Sequence, residues 1–211
     1  MTETLNAGSS RAMLEAVSRF VIERTDMLTD ADLAIGDGDH GIGMRRGFEA
    51  ALSALETQSV DTPESAFKVV GTAILSNTGG AAGAVFGTLF RAGSKAFAGK
   101  DAIDGDGFAA FLESGLEAII KRGGVTEGQK TMIDAIGPAA RAARGNVGKG
   151  LSAVVASAAE ASLSGVEATR DMIATTGKAR SLGERSLGHP DPGAISISLI
   201  LKAMQEFTAT A

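Results

Sequence analysis

The 211-residue sequence contains no cysteine, tryptophan or tyrosine, only 4 prolines and only 2 histidines. Without cysteine there is no disulfide framework, no thiolate metal site and no thiol nucleophile, a composition that suits the cytoplasm. Without Tyr or Trp, any adenine the chain holds must lie against Phe, Met or aliphatic side chains. Residues 1–10 lack a basic region followed by an apolar core, so no signal peptide is read there. No apolar run reaches the roughly 18 residues expected of a membrane span. The 25 acids against 20 bases give a formal charge of −5, which argues against nucleic acid as the main partner.

What the chain has instead is helical periodicity and 28 glycines. Met13, Leu14, Val17, Phe20 and Val21 recur at helical spacing, as do Met44, Phe48, Ala51, Leu52 and Leu55. Phe67, Val70 and Ile74 make a third stripe, and Phe108, Phe111, Leu112 and Ile119 a fourth. Thr62-Pro63 and Asp191-Pro192 read as capping residues followed by Pro in the first helical position. Helices are expected near 10–28, 42–57, 63–77, 82–98, 106–121, 131–143, 148–170 and 192–208. No series of strands, internal repeat or long linker is visible. The expected architecture is all-α: residues 1–211 as a single domain of about eight antiparallel up-and-down helices.

Glycine clusters punctuate these helices. A-I-G-D-G-D-H-G-I-G, residues 34–43, contains G-x-G-x-x-G, but a dinucleotide site needs a preceding strand and a βαβ unit. An EF-hand also fails: counted from Asp37, the position of the bidentate Glu is Phe48 and that of the obligatory Gly is Ile42. G-G-V-T-E-G-Q-K-T, Gly123 to Thr131, approaches a Walker A loop but has one residue too many before Lys130; it reads as a turn leading into a helix. What remains at the first loop is a cluster of carboxylates, Asp32, Asp37 and Asp39. Crowded acids are tolerable where a divalent cation binds, and hard oxygen ligands suit Mg²⁺ or Ca²⁺; the alternative is a solvated acidic turn. D-G-D-G at Asp104 to Gly107 carries no His and reads as such a turn. Ser76 to Gly87 is a glycine loop opening a helix, whose free N–H groups would suit phosphate or whose small residues would suit close helix packing. Leu182 to Ala194 sets Arg185, His189 and Asp191 around a Pro- and Gly-rich bend, with Lys178 and Arg180 just before it. His40 and His189 each lie in one of these loops.

Taken together, four segments resemble the nucleotide-binding L subunit (Dak2-type domain) of bacterial dihydroxyacetone kinases. They are D-x-x-x-x-G-D-G-D-H-G from Asp32, G-G-A-A-G-x-x-F-G from Gly79, R-G-x-x-x-x-G-x-K-T-M-x-D from Arg122 and L-G-E-R-S-x-G-H-x-D-P-G-A from Leu182. They occur in this order across nearly the whole chain.

The resemblance implies an eight-helix antiparallel barrel with ADP or ATP at one rim. It implies that Asp32, Asp37 and Asp39 hold Mg²⁺, two ions, bridging to the nucleotide phosphates. His40, Gly41, Ile42 and Gly43 would line the phosphates with Gly80, Ala81 and Ala82. Gly123 and Met132 would border the adenine, Lys178 would approach the phosphates, and Asp191, Pro192 and Gly193 would close the site. It implies a kinase active only with a separate K subunit that holds a short ketose, and a phosphotransferase-system M subunit that recharges bound ADP, unless ATP exchanges directly. Two departures are visible: Ala82 stands where the family commonly has Ser, and Lys178 where Arg is usual, keeping charge but losing the bidentate fork. A related tetrulose such as erythrulose is a second substrate class, and a non-catalytic ADP-sensing module is the competing function. The fatty-acid kinases usually write the acidic loop P-D-G-D-T-G, against His40 here.

Overall fold

The computed structural model describes residues 3–210. Nine α-helices occupy the described residues: α1 Ala7–Ile22, α2 Thr25–Ile35, α3 His40–Thr57, α4 Pro63–Asn77, α5 Gly80–Gly93, α6 Gly105–Gly123, α7 Ile133–Gly145, α8 Leu151–Ala168 and α9 Pro192–Thr210. Short 3₁₀ segments cover Ser94–Phe97, Val147–Lys149, Thr169–Asp171 and, on either side of a kink at Gly183, Lys178–Ser186.

Helix signals written in the sequence act as the physics requires. Thr62 and Ser65 form a reciprocal capping box at the start of α4, with Pro63 in the first turn. Asp104 accepts the Gly107 N–H at 2.7 Å to open α6, so the D-G-D-G turn is a helix cap. Gly124, with φ +62°, closes the same helix.

The helices make a ring. α1 packs on α3 and α9, and each helix from α3 to α8 packs on its successor. The close approach of α4 and α5 depends on two glycines. A methyl group on Gly71 would lie 2.5 Å from the Arg91 backbone N, and one on Gly87 would lie 2.6 Å from Leu75 Cβ. This crossed pairing, early residue against late, is that of antiparallel neighbours. Eight helices close the barrel, as the sequence led us to expect, and α2 lies outside the ring against α3 and α9.

The expected helix over 10–28 is two helices. The Arg24 guanidinium donates to Phe20 O at 2.8 Å and lies over the Phe20 ring, while Thr25 Oγ1 donates to Ile22 O at 2.6 Å. These side chains satisfy the last carbonyls of α1 and end it. Periodicity hid the break because buried Leu28 continues the apolar stripe. A second difference is a two-residue antiparallel ladder, Leu5 with Ile103 and Asn6 with Ala102, which ties the start of the chain to the entrance of α6.

Phenylalanine concentrates at the barrel end far from the glycine loops. Phe67, near the start of α4, meets Phe97 and Phe111 edge-on, each at 4.9 Å between centroids, a favoured aromatic geometry. Phe67→Ala is expected to cost about 3–5 kcal/mol in urea unfolding; a loss below about 1 kcal/mol would show that this cluster does not anchor the barrel.

Candidate nucleotide and metal site

At the other end, helix termini converge around a pocket of about 410 Å³. α3, α5 and α9 begin there. The N-caps of α3 and α5, Asp39 and Gly79, make no side-chain capping bond. Two first turns thus keep unsatisfied backbone N–H groups, and their dipoles present partial positive charge, a setting that favours anions. Gly79 and Gly80 hold φ of +79° and +56°, the left-handed conformations that let the chain turn sharply into α5.

The acidic loop lies beside these termini. Asp32 sits on the last turn of α2, whose full extent, to Ile35, was not legible in the sequence. A side chain at position 36 would meet its carboxylate at 2.2 Å, so Gly36 leaves Asp32 room to fold over the loop. There Asp32 Oδ2 accepts the His40 N–H at 3.2 Å, from the first residue of α3. Gly38, at φ +78°, reverses the chain between Asp37 and Asp39. One carboxylate oxygen from each of Asp32, Asp37 and Asp39 lies within 4.8 Å of the others. Asp37 and Asp39 are exposed, and Asp32 is the most buried of the three.

Lys178 answers this concentration of charge. Its ammonium bonds to Asp37 and, at 2.9 Å, to Asp39 Oδ2. The contact holds the Asp37 carboxyl below its ordinary value, first through the hydrogen bond to Lys178, and raises the Lys178 ammonium. One flexible cation from the 3₁₀ segment thus bridges two of the three acids. Arg180 and Arg185 do not line the pocket.

His40 Nε2 lies 2.8 Å from Ser196 Oγ, which donates to Pro192 O. Burial lowers the His40 pKa, only partly offset by Asp32 and Asp39; the imidazole is held neutral, linking α3 to α9. Gly43 lines the pocket with His40. Gly41 is packed against Thr25 and Thr29 of α2, and the Ile42 side chain is exposed; neither lines it. Gly80, Ala81 and Ala82 line the α5 side, Gly123 and Met132 the side made by α6 and α7, and Lys178, Asp191, Pro192 and Gly193 the side made by the last loop. Asp37 is joined to the pocket through the acid cluster. Sequence reasoning missed Ile35, Val85, Ile119 and Val125. With Met132 they supply the apolar part of the pocket lining.

It also missed the role of Lys130. This residue holds φ +60°, the one non-glycine among the described residues with positive φ. Its buried ammonium donates to Thr169 O and, at 2.7 Å, to His189 O. Asp134 fixes the same loop by accepting the Gly128 and Thr131 N–H groups, and the Asp191 N–H donates to Thr169 Oγ1 at 2.9 Å. The Walker-like segment is therefore a strut beneath the last loop. Lys130→Met removes the donor from the His189 carbonyl, leaves Thr169 O with only the Met172 N–H, and is expected to cost about 1–3 kcal/mol; unchanged thermal stability would contradict the strut.

Asp191 caps α9 by accepting the Ala194 N–H at 2.7 Å. Burial, with Asp134 nearby, pushes its carboxyl up to about 7. The folded form binds this proton more tightly than an unfolded carboxyl of ordinary pKa 3.8. Its contribution to stability is therefore fully present below about pH 4 and lost as pH rises to about 7. Asp191→Asn keeps an acceptor for the cap and removes the titration. In urea melts the wild type should lose stability relative to this variant between those pH values; a constant difference would refute the buried carboxyl.

The DAK2 domain model matches residues 34–206. The chain belongs to the DAK2 domain family. Its relatives place it with the DhaL type: it is 41% identical over 184 residues to the Listeria innocua "PEP-dependent dihydroxyacetone kinase 1, ADP-binding subunit DhaL", covering 87% of this chain and 88% of that one. It is 33% identical to the Mycolicibacterium smegmatis L-erythrulose 1-kinase over 92% of this chain but only 34% of that longer protein. Among solved structures, the dihydroxyacetone kinase of C. freundii in complex with AMP-PNP and Mg²⁺ superposes with a TM-score of 0.72 at 25% identity, over 93% of this chain and 33% of that one. No described helix of this DhaL-type domain is long and apolar enough to cross a membrane.

Proposed function

We propose that this chain is the nucleotide-binding subunit of a ketose kinase of the dihydroxyacetone type, holding an adenine nucleotide with Mg²⁺ and presenting its terminal phosphoryl group to a sugar carried by a separate K subunit. The observation that carries this reading is the trio Asp32, Asp37 and Asp39, with oxygens within 4.8 Å of one another, at the edge of a pocket onto which the uncapped N-terminus of α5 opens and beside which α3 begins.

The donor set fits the ion. Three carboxylate oxygens without sulfur or imidazole are a hard set suited to Mg²⁺, which commonly completes its shell with phosphate and water. Lys178, the only cation bonded to Asp37 and Asp39 among the described residues, is exposed and flexible enough to yield. When bound, Mg²⁺ would neutralise phosphate charge and polarise the phosphorus–oxygen bonds of the nucleotide. The chain's own groups would do the rest. The first turn of α5 donates its N–H groups at Gly80, Ala81 and Ala82 to phosphate oxygens, and the dipole of α3 adds partial positive charge. Lys178, displaced from the acids, stays within reach of the same anion. Ile119, Val125 and Met132 exclude water from the base. Asp191 caps α9 and holds the last loop in place. Phosphoryl transfer asks for positioning and charge neutralisation more than for covalent help, and no general base is needed from this chain.

The resident nucleotide is proposed to be ADP, recharged by a phosphotransferase-system M subunit, in keeping with the PEP dependence in the Listeria relative's name. Similarity to an L-erythrulose 1-kinase favours a four-carbon ketose as the second candidate substrate.

The test combines this chain with a K subunit and offers dihydroxyacetone or L-erythrulose, with either ATP or a PEP-driven phosphotransferase chain. Mg²⁺-dependent ketose phosphate should form. Asp37→Asn should lower turnover about a thousandfold or more while leaving the melting temperature unchanged. Full nucleotide binding with no product from any K partner would overturn the kinase reading in favour of a nucleotide sensor.

A further inference from the structure

Two cations that line the pocket take no part in the acidic cluster: Lys130, held by backbone carbonyls, and Arg46. Arg46, on the second turn of α3, lines the cavity. Its Nη2 donates to Thr78 O at 3.1 Å, at the end of α4. This is the only acceptor that its guanidinium finds among the described residues, so most of its five N–H donors are unused. Its neighbour Arg45 behaves as a surface arginine does and pairs with Glu49 at 2.7 Å. Arg46 pairs with no carboxylate among the described residues.

The Thr78 contact aims the guanidinium at the turn into α5. A methyl group placed on Gly79 would lie 3.5 Å from Nη2. The guanidinium therefore stands beside the Gly79–Gly80 turn, where α5 starts without a side-chain cap. Around this turn Ala81 and Ala82 carry no hydroxyl. Unused guanidinium N–H groups beside the bare backbone N–H groups of one turn make a two-sided donor set for a tetrahedral anion. The planar fork suits phosphate geometry in a way that a lysine does not.

We propose that Arg46 holds the terminal phosphate of a nucleoside diphosphate at the Gly79–Gly80 turn, supplying the donor that the side chains of Ala81 and Ala82 lack. This rests on the nucleotide reading of the pocket. Arg46 then acts as a specificity residue: it favours ligands with a second phosphate over monophosphates, and its grip is distinct from that of the acidic trio, which acts through a cation.

Calorimetric titration of ADP and of AMP, both with Mg²⁺, into wild type, Arg46→Met and Arg46→Lys tests this. Arg46→Met should weaken ADP about 10- to 100-fold and change AMP less than about twofold; Arg46→Lys should fall between the two for ADP. Melting temperatures of all three proteins should agree, since Arg46 is exposed and releases only one carbonyl bond. Unchanged ADP affinity in Arg46→Met, or equal losses for ADP and AMP, would overturn the assignment and leave Arg46 a tether of the α4–α5 turn. If wild type binds neither nucleotide, the nucleotide reading itself fails, a result distinct from normal binding in the variant.

Discussion

Three like charges held within 4.8 Å of one another are the constraint around which this end of the barrel is arranged. Carboxylates at that separation repel unless a cation lies among them, and the local chain holds them there regardless. α1 must end at Ile22 so that α2 can start a new direction and deliver Asp32 on its last turn. Gly36 must lack a side chain so that Asp32 can fold back. Gly38 must adopt positive φ to set Asp37 and Asp39 on either side of a reversal. Lys178, from a segment far away in sequence, spans the two exposed acids.

The rest of the rim follows from the up-and-down topology. An even ring of antiparallel helices brings alternate N-termini to one end, and here α3, α5 and α9 start at the pocket. In the proposed reading, anion affinity comes from the architecture and cation affinity from one loop, and a metal-bound polyphosphate would use both. The phenylalanine cluster at the opposite end carries packing where no site is needed, and the rim is left to glycine, alanine and short loops.

The ring itself was legible in the sequence, because apolar stripes at helical spacing report which faces are buried, and the acidic loop was legible because three aspartates crowd one glycine-punctuated loop. The split at Arg24 was not: Leu28 keeps the stripe in phase, and the helix ends through bonds from Arg24 and Thr25 to carbonyls, which leave no mark on periodicity. Lys130 in its left-handed conformation was not legible either, since the partners that retain it, Thr169 O and His189 O, are backbone atoms distant in sequence. Nothing in the sequence singled out Arg46; only the fold shows Arg45 and Arg46 taking different partners. Ile42 and Gly41 illustrate the converse. They belong to the motif, yet the helical twist that starts at His40 turns them away from the cavity.

The central claim is that the acidic trio engages the nucleotide through magnesium and not as a bare, solvated turn. ADP titrated into the purified chain with Mg²⁺, and again with the metal chelated, tests it most directly, alongside the Asp32→Asn variant. The account predicts that chelation weakens ADP at least tenfold in the wild type, and that the variant binds ADP weakly and equally in both conditions. The same ADP affinity with and without metal in the wild type would contradict it.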